Sequence, residues 1–221
     1  MESKNIKQGD FVEIDYTGTI KDGNIVFDTT QKEVAMANSL NKEAKYEPIV
    51  ICIGQGFILP HIEIELVGKK IGKYTFDLMP EQSFGKKSAA LLKLVPMKVF
   101  RQQEIMPYNG LEVNIDGQFG IIRNVSGGRV IVDFNHPIAG RDLKYDVEVK
   151  KFVTDDKEKL EALLKASGLP YDSASVKENK AMIVISQPIA DQVKAVFEEH
   201  AKKLIGIKKT DYVLKQTKEQ K

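Results

Sequence analysis

At 221 residues, with 42% hydrophobic and 29% charged side chains, the chain has the make-up of ordinary folded domains and length enough for one large or two or three small ones. Its 33 basic and 31 acidic residues net to +2, which gives no whole-chain reason to expect nucleic acid or a membrane surface as partner. The one cysteine, Cys52, excludes an internal disulfide and a cysteine-based metal cluster. Set in Ile49-Val50-Ile51-Cys52-Ile53, it reads as a small core residue. The amino end lacks an apolar signal core and no run approaches membrane-span length, so a cytoplasmic location is expected.

Residues 11–20 alternate, with Val12, Ile14 and Tyr16 on one face and Glu13 and Asp15 on the other, which predicts a half-buried strand. Lys21-Asp22-Gly23-Asn24 is a hairpin-type turn into a second extended run, Ile25–Phe27. Residues 31–47 are polar and alanine-bearing, suited to a short surface helix or bulge. Ile49–Ile53 is a continuous apolar run between Pro48 and Gly54, as in a buried strand. Ile58, Leu59, Ile62 and Leu66 recur at helical spacing, predicting a helix within Phe57–Leu66. A strand over Tyr74–Met79 follows, and far downstream Leu143–Phe152 alternates again. Together these segments predict a small antiparallel sheet holding one helix.

The intervening block has its own punctuation. Leu91–Val95 and Met97–Phe100 are apolar and flank Pro96, and strands are predicted at 111–115, 118–125 and 129–134, joined by Asp116-Gly117 and Gly127-Gly128 turns. The pattern reads as an all-β domain inserted into the first sheet. Beyond it, Asp155 with Glu158 resembles a capping box opening a helix that ends at Gly168 and Pro170. A strand at 181–186, a helix opened by Pro188 and closed by Gly206, and a strand at 207–214 complete an α/β segment small enough to lean on a neighbour. The lysine-rich tail after it is expected to fray.

Familiar catalytic signatures are missing: no GxSxG, HExxH, Walker loop or dinucleotide fingerprint occurs. His61, His136 and His200 fall on different predicted elements without metal-ligand spacing, and each reads as a surface or turn residue. From the residues alone, Phe27, Phe84 and Tyr145 read as core, Ile49 and Ile62 fit core or site equally, and Asp28 in Asp28-Thr29-Thr30 reads as a turn former.

Four stretches change that reading. Asp15-Tyr16-Thr17-Gly18 with Val26-Phe27-Asp28-Thr29-Thr30 resembles the first signature of the FKBP-type prolyl isomerases. Residues 53–60 through Glu65-Leu66-Val67-Gly68 resemble that family's strand–helix–turn block, and Phe84-Gly85 and Leu143–Val149 complete the order. An extra domain between Phe84-Gly85 and Asn135-His136-Pro137-Ile138-Ala139-Gly140 is the arrangement of the SlyD-like branch, and the carboxyl segment resembles that of its long archaeal members.

The resemblance implies an α+β protein: an FKBP-like antiparallel sheet wrapped on one helix (1–86 and 136–153), an inserted all-β flap domain (87–135) and a C-terminal α/β domain (154–221). It implies peptidyl-prolyl cis/trans isomerase activity without a cofactor or metal. Tyr16, Asp28 and Tyr145 are the expected catalytic residues, and Phe27, Ile49, Ile58, Leu59, Ile62 and Phe84 the expected substrate contacts. Ile58 is expected to offer a backbone group and Ile62 the floor. Aliphatic Ile49 and Ile62 stand where strong macrolide binders often carry aromatics, which implies weak macrolide affinity. The branch uses its insert to hold unfolded chains, which points to Leu92, Leu94, Val95, Met97 and Phe100. The expected partners are proline-containing peptides and unfolded or partly folded proteins, with homodimerisation through the C-terminal domain as a further expectation. The rivals are a non-catalytic holdase and a dimeric adaptor on the same fold. A metallochaperone role is disfavoured, because the tail ending Lys218-Glu219-Gln220-Lys221 has no histidine or cysteine cluster.

Overall fold

The computed structural model describes residues 4–215, so the expected fraying of the tail lies outside the described residues. In chain order the elements are β1 (Phe11–Ile20), β2 (Ile25–Thr29), α1 (Lys32–Ala37), β3 (Ile49–Cys52), α2 (Pro60–Leu66), β4 (Gly72–Leu78), β5 (Leu92–Pro96) and α3 (Met97–Gln102). Then follow β6 (Glu112–Ile115), β7 (Gln118–Ser126), β8 (Arg129–Asp133), β9 (Leu143–Phe152), α4 (Asp156–Ala166), β10 (Ser173–Lys177), β11 (Lys180–Ile185), α5 (Asp191–Ile205) and β12 (Lys209–Leu214). The chain divides into two compact units, one of residues 1–19, 26–76 and 145–221, the other of residues 20–25 and 77–144.

The first unit carries a sheet of order β2-β1-β9-β4, with β3 also pairing antiparallel to β1 so that Phe11 faces Cys52 and Ile14 faces Ile49. Alternation places Val12 and Ile14 of β1 and Val147 and Val149 of β9 in the interior, each 2% exposed or less. Helix α2 closes this core with Ile62 and Leu66. It begins at Pro60, not Phe57. Proline is suited to a first helical position and disfavours helix in the residue before it, and Leu59 accordingly stays outside the helix at φ −53°, ψ 124°.

The carboxyl-terminal part of this unit is a three-stranded sheet, β10-β11-β12, with β12 parallel to β11 after the α5 crossover. Asp155 caps α4 by accepting from the Glu158 N–H at 2.8 Å, and Gly206 ends α5 in the left-handed region at φ 73°. Strand β10 escaped the sequence reading because only Ala174 and Val176 turn away from solvent in Ser173–Lys177. Helix α5 starts at Asp191, with Pro188 in the lead-in and Ala190 at the cap. This segment supplies most of a buried cluster that also takes in residues of the first sheet. Leu160, Leu163, Leu164, Phe197 and Ala201 are buried in one cluster with Phe11 and Cys52 of the first sheet.

The second unit holds an antiparallel sheet of order β5-β8-β7-β6. It is not all-β, as helix α3 follows Pro96 directly and lays Phe100 on the sheet in a core with Val113, Ile122, Val130 and Val132. Within this unit, polar contacts tie the segment before β5 to the segment after β8. Asn135 Oδ1 accepts from the Ser88 N–H at 2.7 Å, and its Nδ2 donates to the Ser88 carbonyl at 3.1 Å. Asp133 in turn accepts from Asn135 and from Arg123 Nε.

The shared cluster makes a quantitative expectation. Leu160→Ala, in a fully buried site, should cost about 2–5 kcal/mol in denaturant unfolding. Cys52 reports on the same core: it has no exposed surface, and burial, helped by the charges of Glu63 and Asp10, pushes its thiol up to about 12. Its reaction with a disulfide reagent should therefore stay blocked until the whole first unit unfolds, and should begin at lower denaturant in Leu160→Ala. Early thiol exposure while β1 and β9 remain protected from hydrogen exchange would mean the two halves of the cluster unfold separately.

Candidate active site

Three aromatic rings converge on β1, β2 and β9 of the first unit. Tyr16 and Tyr145 lie with ring centroids 5.9 Å apart and tilted by 35°, and Phe27 meets Tyr145 edge-on at 5.9 Å and 77°. Gly18 makes room for them. A Cβ there would stand 2.7 Å from the Phe27 ring tip and 3.1 Å from Tyr145, closer than packing allows. Tyr16 donates its hydroxyl to Asp28 Oδ2 at 2.7 Å, and Asp28 itself is exposed. Burial first, then the Asp28 hydrogen bond and charge, holds the Tyr16 phenol well above its usual range. Burial and the Asp28 charge do the same for Tyr145. Both hydroxyls are therefore neutral donors at physiological pH.

The backbone beneath Tyr16 is fixed by Thr29, the last residue of β2, and Thr30 after it. The Tyr16 N–H donates to Thr30 Oγ1 at 2.9 Å, and the Tyr16 carbonyl accepts from the Thr30 N–H at 3.0 Å and from Thr29 Oγ1 at 2.9 Å. Thr30 Oγ1 also donates to Asp15 at 2.7 Å, and Lys150 pairs with Asp15 at 2.5 Å. Asp28 and Thr29 do not form a turn: they are the last two residues of β2, with Thr30 in the bend that follows, and the strand directs the Asp28 carboxylate to Tyr16.

A second support was not read from the sequence at all. Glu63 on α2 is 1% exposed. Its carboxylate accepts from the N–H groups of Gly54 at 2.7 Å, Gly56 at 3.0 Å and Ile58 at 3.0 Å. A buried carboxylate is tolerable only when its lone pairs are filled, and here three backbone donors fill them. The one available signal is an acidic residue next to Ile62 on the inward face of a short apolar helix. The Ile58 N–H is thus occupied, while the Leu59 N–H meets no partner among the described residues.

The other expected contacts scatter in character. Ile49 is half-buried at the start of β3, and Ile62 has no exposed surface. Phe84 belongs to the second unit, where it is half-buried and stacked on His136 at 4.3 Å and 14°. His136 is thus a stacking partner as well as a turn residue. In the insert, Leu92 is 47% and Leu94 62% exposed, whereas Val95 and Met97 pack against the insert core. Phe100, 1% exposed, is corrected from client contact to core. Among the described residues no group of three or more His, Cys, Asp or Glu side chains could hold a metal ion.

Residues 2–100 match the family described as FKBP-type peptidyl-prolyl cis-trans isomerase, and residues 93–138 match the FKBP26 IF domain. A short-type peptidyl-prolyl cis-trans isomerase of Methanocaldococcus jannaschii is 32% identical over 147 residues, 66% of this chain and 92% of that protein. The chain belongs to the FKBP-type peptidyl-prolyl cis-trans isomerases.

An FKBP-type 16 kDa isomerase of Escherichia coli is 33% identical over 113 residues, 47% of this chain and 72% of that protein. The SlyD isomerase of Aeromonas hydrophila is 29% identical over 142 residues, 63% of this chain and 60% of that protein. The chain is therefore a prolyl isomerase resembling the SlyD branch, and its mixed α/β architecture of several antiparallel sheets with few helices agrees with an FKBP-like fold. None of the helices among the described residues is long and apolar enough to cross a membrane.

Two outcomes test the geometry. Glu63→Gln replaces one acceptor oxygen with a donor that faces backbone N–H groups, and should cost about 1–3 kcal/mol by urea unfolding. Phenolate formation followed by ultraviolet difference spectroscopy should find Tyr16 and Tyr145 protonated beyond the usual 10.0. The folded state binds these protons more tightly than the unfolded chain, so the two phenols stabilise it fully below pH 10.0 and lose that contribution as pH rises above it.

Proposed function

We propose that the chain isomerises Xaa–Pro bonds of partly folded proteins at Tyr16, Asp28 and Tyr145, while its insert holds the client. The observation carrying the catalytic part is the Tyr16–Asp28 hydrogen bond at the mouth of the aromatic cage. Rotation about a prolyl amide breaks no covalent bond; the barrier of about 18–20 kcal/mol is lost resonance. The twisted amide is less polar at its C–N linkage than the planar one, so apolar walls favour it over the ground state. Phe27 and Tyr145 supply the walls for the proline ring, with Ile49 at the edge. Asp28, held by Tyr16, faces the carbonyl that swings round, or the water that follows it. Leu59 takes over the backbone role expected of Ile58: its N–H is open to a peptide carbonyl, and the Ile58 N–H is spent on Glu63.

Client holding is supported by the outer face of the insert sheet. Directly paired strand residues share a face, so Leu94 stands beside Ile131, and Leu92 lies in the row of Asp133 and Ile121. Phe119, 46% exposed, extends the same side, opposite the face that α3 covers. An apolar strip on the solvent side of a sheet suits weak capture of unfolded chains and raises their concentration near the catalytic residues. Homodimerisation through the C-terminal segment is a further proposal, supported by Val193 and Val196 of α5, which are 46% and 58% exposed; sedimentation of the full chain tests it.

Two measurements test the main reading. In refolding of a proline-limited protein, Asp28→Ala should lower kcat/KM by roughly tenfold, equivalent to about 1.4 kcal/mol of transition-state stabilisation, with the fold intact. Wild-type turnover in that variant would remove Asp28 from the site. Leu92→Ser with Leu94→Ser should weaken suppression of client aggregation and leave isomerisation of a short peptide unchanged; equal suppression by this variant would rule out the strip.

A further inference from the structure

The loop between β3 and α2 has two sides. On one lie Ile58 and Leu59. On the other, the half-buried Phe57 ring packs into the cluster that α4 and α5 build with Phe11 and Cys52. Phe57 lines a groove of about 530 Å³ with Leu163 and Ala166 of α4 and Val196 of α5. It also lines a second of about 370 Å³ in which Ile49 and Val50 of β3 face Ala162 and Lys165 of α4. One ring thus wedges between the C-terminal helices and the strand and loop that carry two of the proposed peptide contacts, Ile49 and Leu59.

The loop needs such an anchor. Gly54 and Gly56 sit at φ 83° and 73°, and neither contributes a side chain to hold the backbone in place. Glu63 fixes the directions of three N–H groups, but Gln55 is exposed and offers no apolar hold. Phe57 is the large apolar side chain between the two constraints, and its seat is made by a segment distant in sequence.

We infer that α4 is a positioning element of the isomerase and that Phe57 is the positioning residue through which it acts, setting the place of the Leu59 N–H. The inference rests on the proposed role of Leu59 as peptide donor. Uniform binding of ground and transition states is what such a donor supplies, so its misplacement appears in KM and not in kcat.

The test is steady-state isomerisation of a proline peptide by the full chain across a range of peptide concentrations. Phe57→Ala should raise KM by roughly three- to tenfold with kcat nearly unchanged, and Phe57→Leu should restore most of it. Leu163→Ala, which alters α4 and no proposed peptide contact, should raise KM in the same direction. Should Leu163→Ala fail to fold, the Phe57 pair decides the matter, because Phe57 is only half-buried. Unchanged KM in folded Phe57→Ala overturns the coupling. Asp28→Ala in the same assay separates the two readings: loss of kcat there with unchanged KM in Phe57→Ala overturns the coupling alone, and no loss in either overturns both.

Discussion

A single buried carboxylate organises the loop between β3 and α2. Glu63 can lie at 1% exposure only because Gly54, Gly56 and Ile58 turn their N–H groups onto it. That demand dictates the loop: two glycines with positive φ let the backbone curl round one point, and Pro60 delays the helix until the curl is complete. The consequence reaches both ways. The Leu59 N–H is left without a partner among the described residues, and Phe57 packs against the C-terminal core.

Around the Tyr16–Asp28 pair the physics is that of neutral donors in apolar surroundings. Tyr16 and Tyr145 are kept protonated by burial and by the neighbouring Asp28 charge. Asp28 remains at the surface, one hydrogen bond from Tyr16, where it needs no burial penalty to be offset. Gly18 contributes by absence, since any side chain there would collide with the two rings that form the wall. At the proposed site, prolyl isomerisation asks of these residues shape and apolar walls in place of a nucleophile or a titrating base.

The two accessory segments use their cores differently. The insert is self-sufficient: Phe100 of α3 seals one sheet face and leaves the Leu92–Leu94–Ile131 side uncovered. The C-terminal segment shares its core: the leucines of α4 and Phe197 of α5 pack with its own strands and also with Phe11 and Cys52. A segment of that length has little interior to offer, and sharing a core is the ordinary remedy.

Much of this was legible from residue order. Period-two alternation marked β1 and β9, the Asp155–Glu158 spacing marked α4, and the Tyr16…Asp28 and Phe84-Gly85 stretches identified the family, because these signals are local and each repeats within one or two turns of chain. What sequence order could not carry were partnerships between distant residues. Nothing in Glu63 announces three backbone donors, nothing in Phe100 distinguishes core from client surface, and β10 is too polar to declare itself without β11 beside it. Such assignments are made by burial, and burial is a property of what the rest of the chain brings near: the residues determined the family and its chemistry, while only the tertiary structure decided that Phe57 packs against the C-terminal core and that Glu63 takes up the Ile58 N–H.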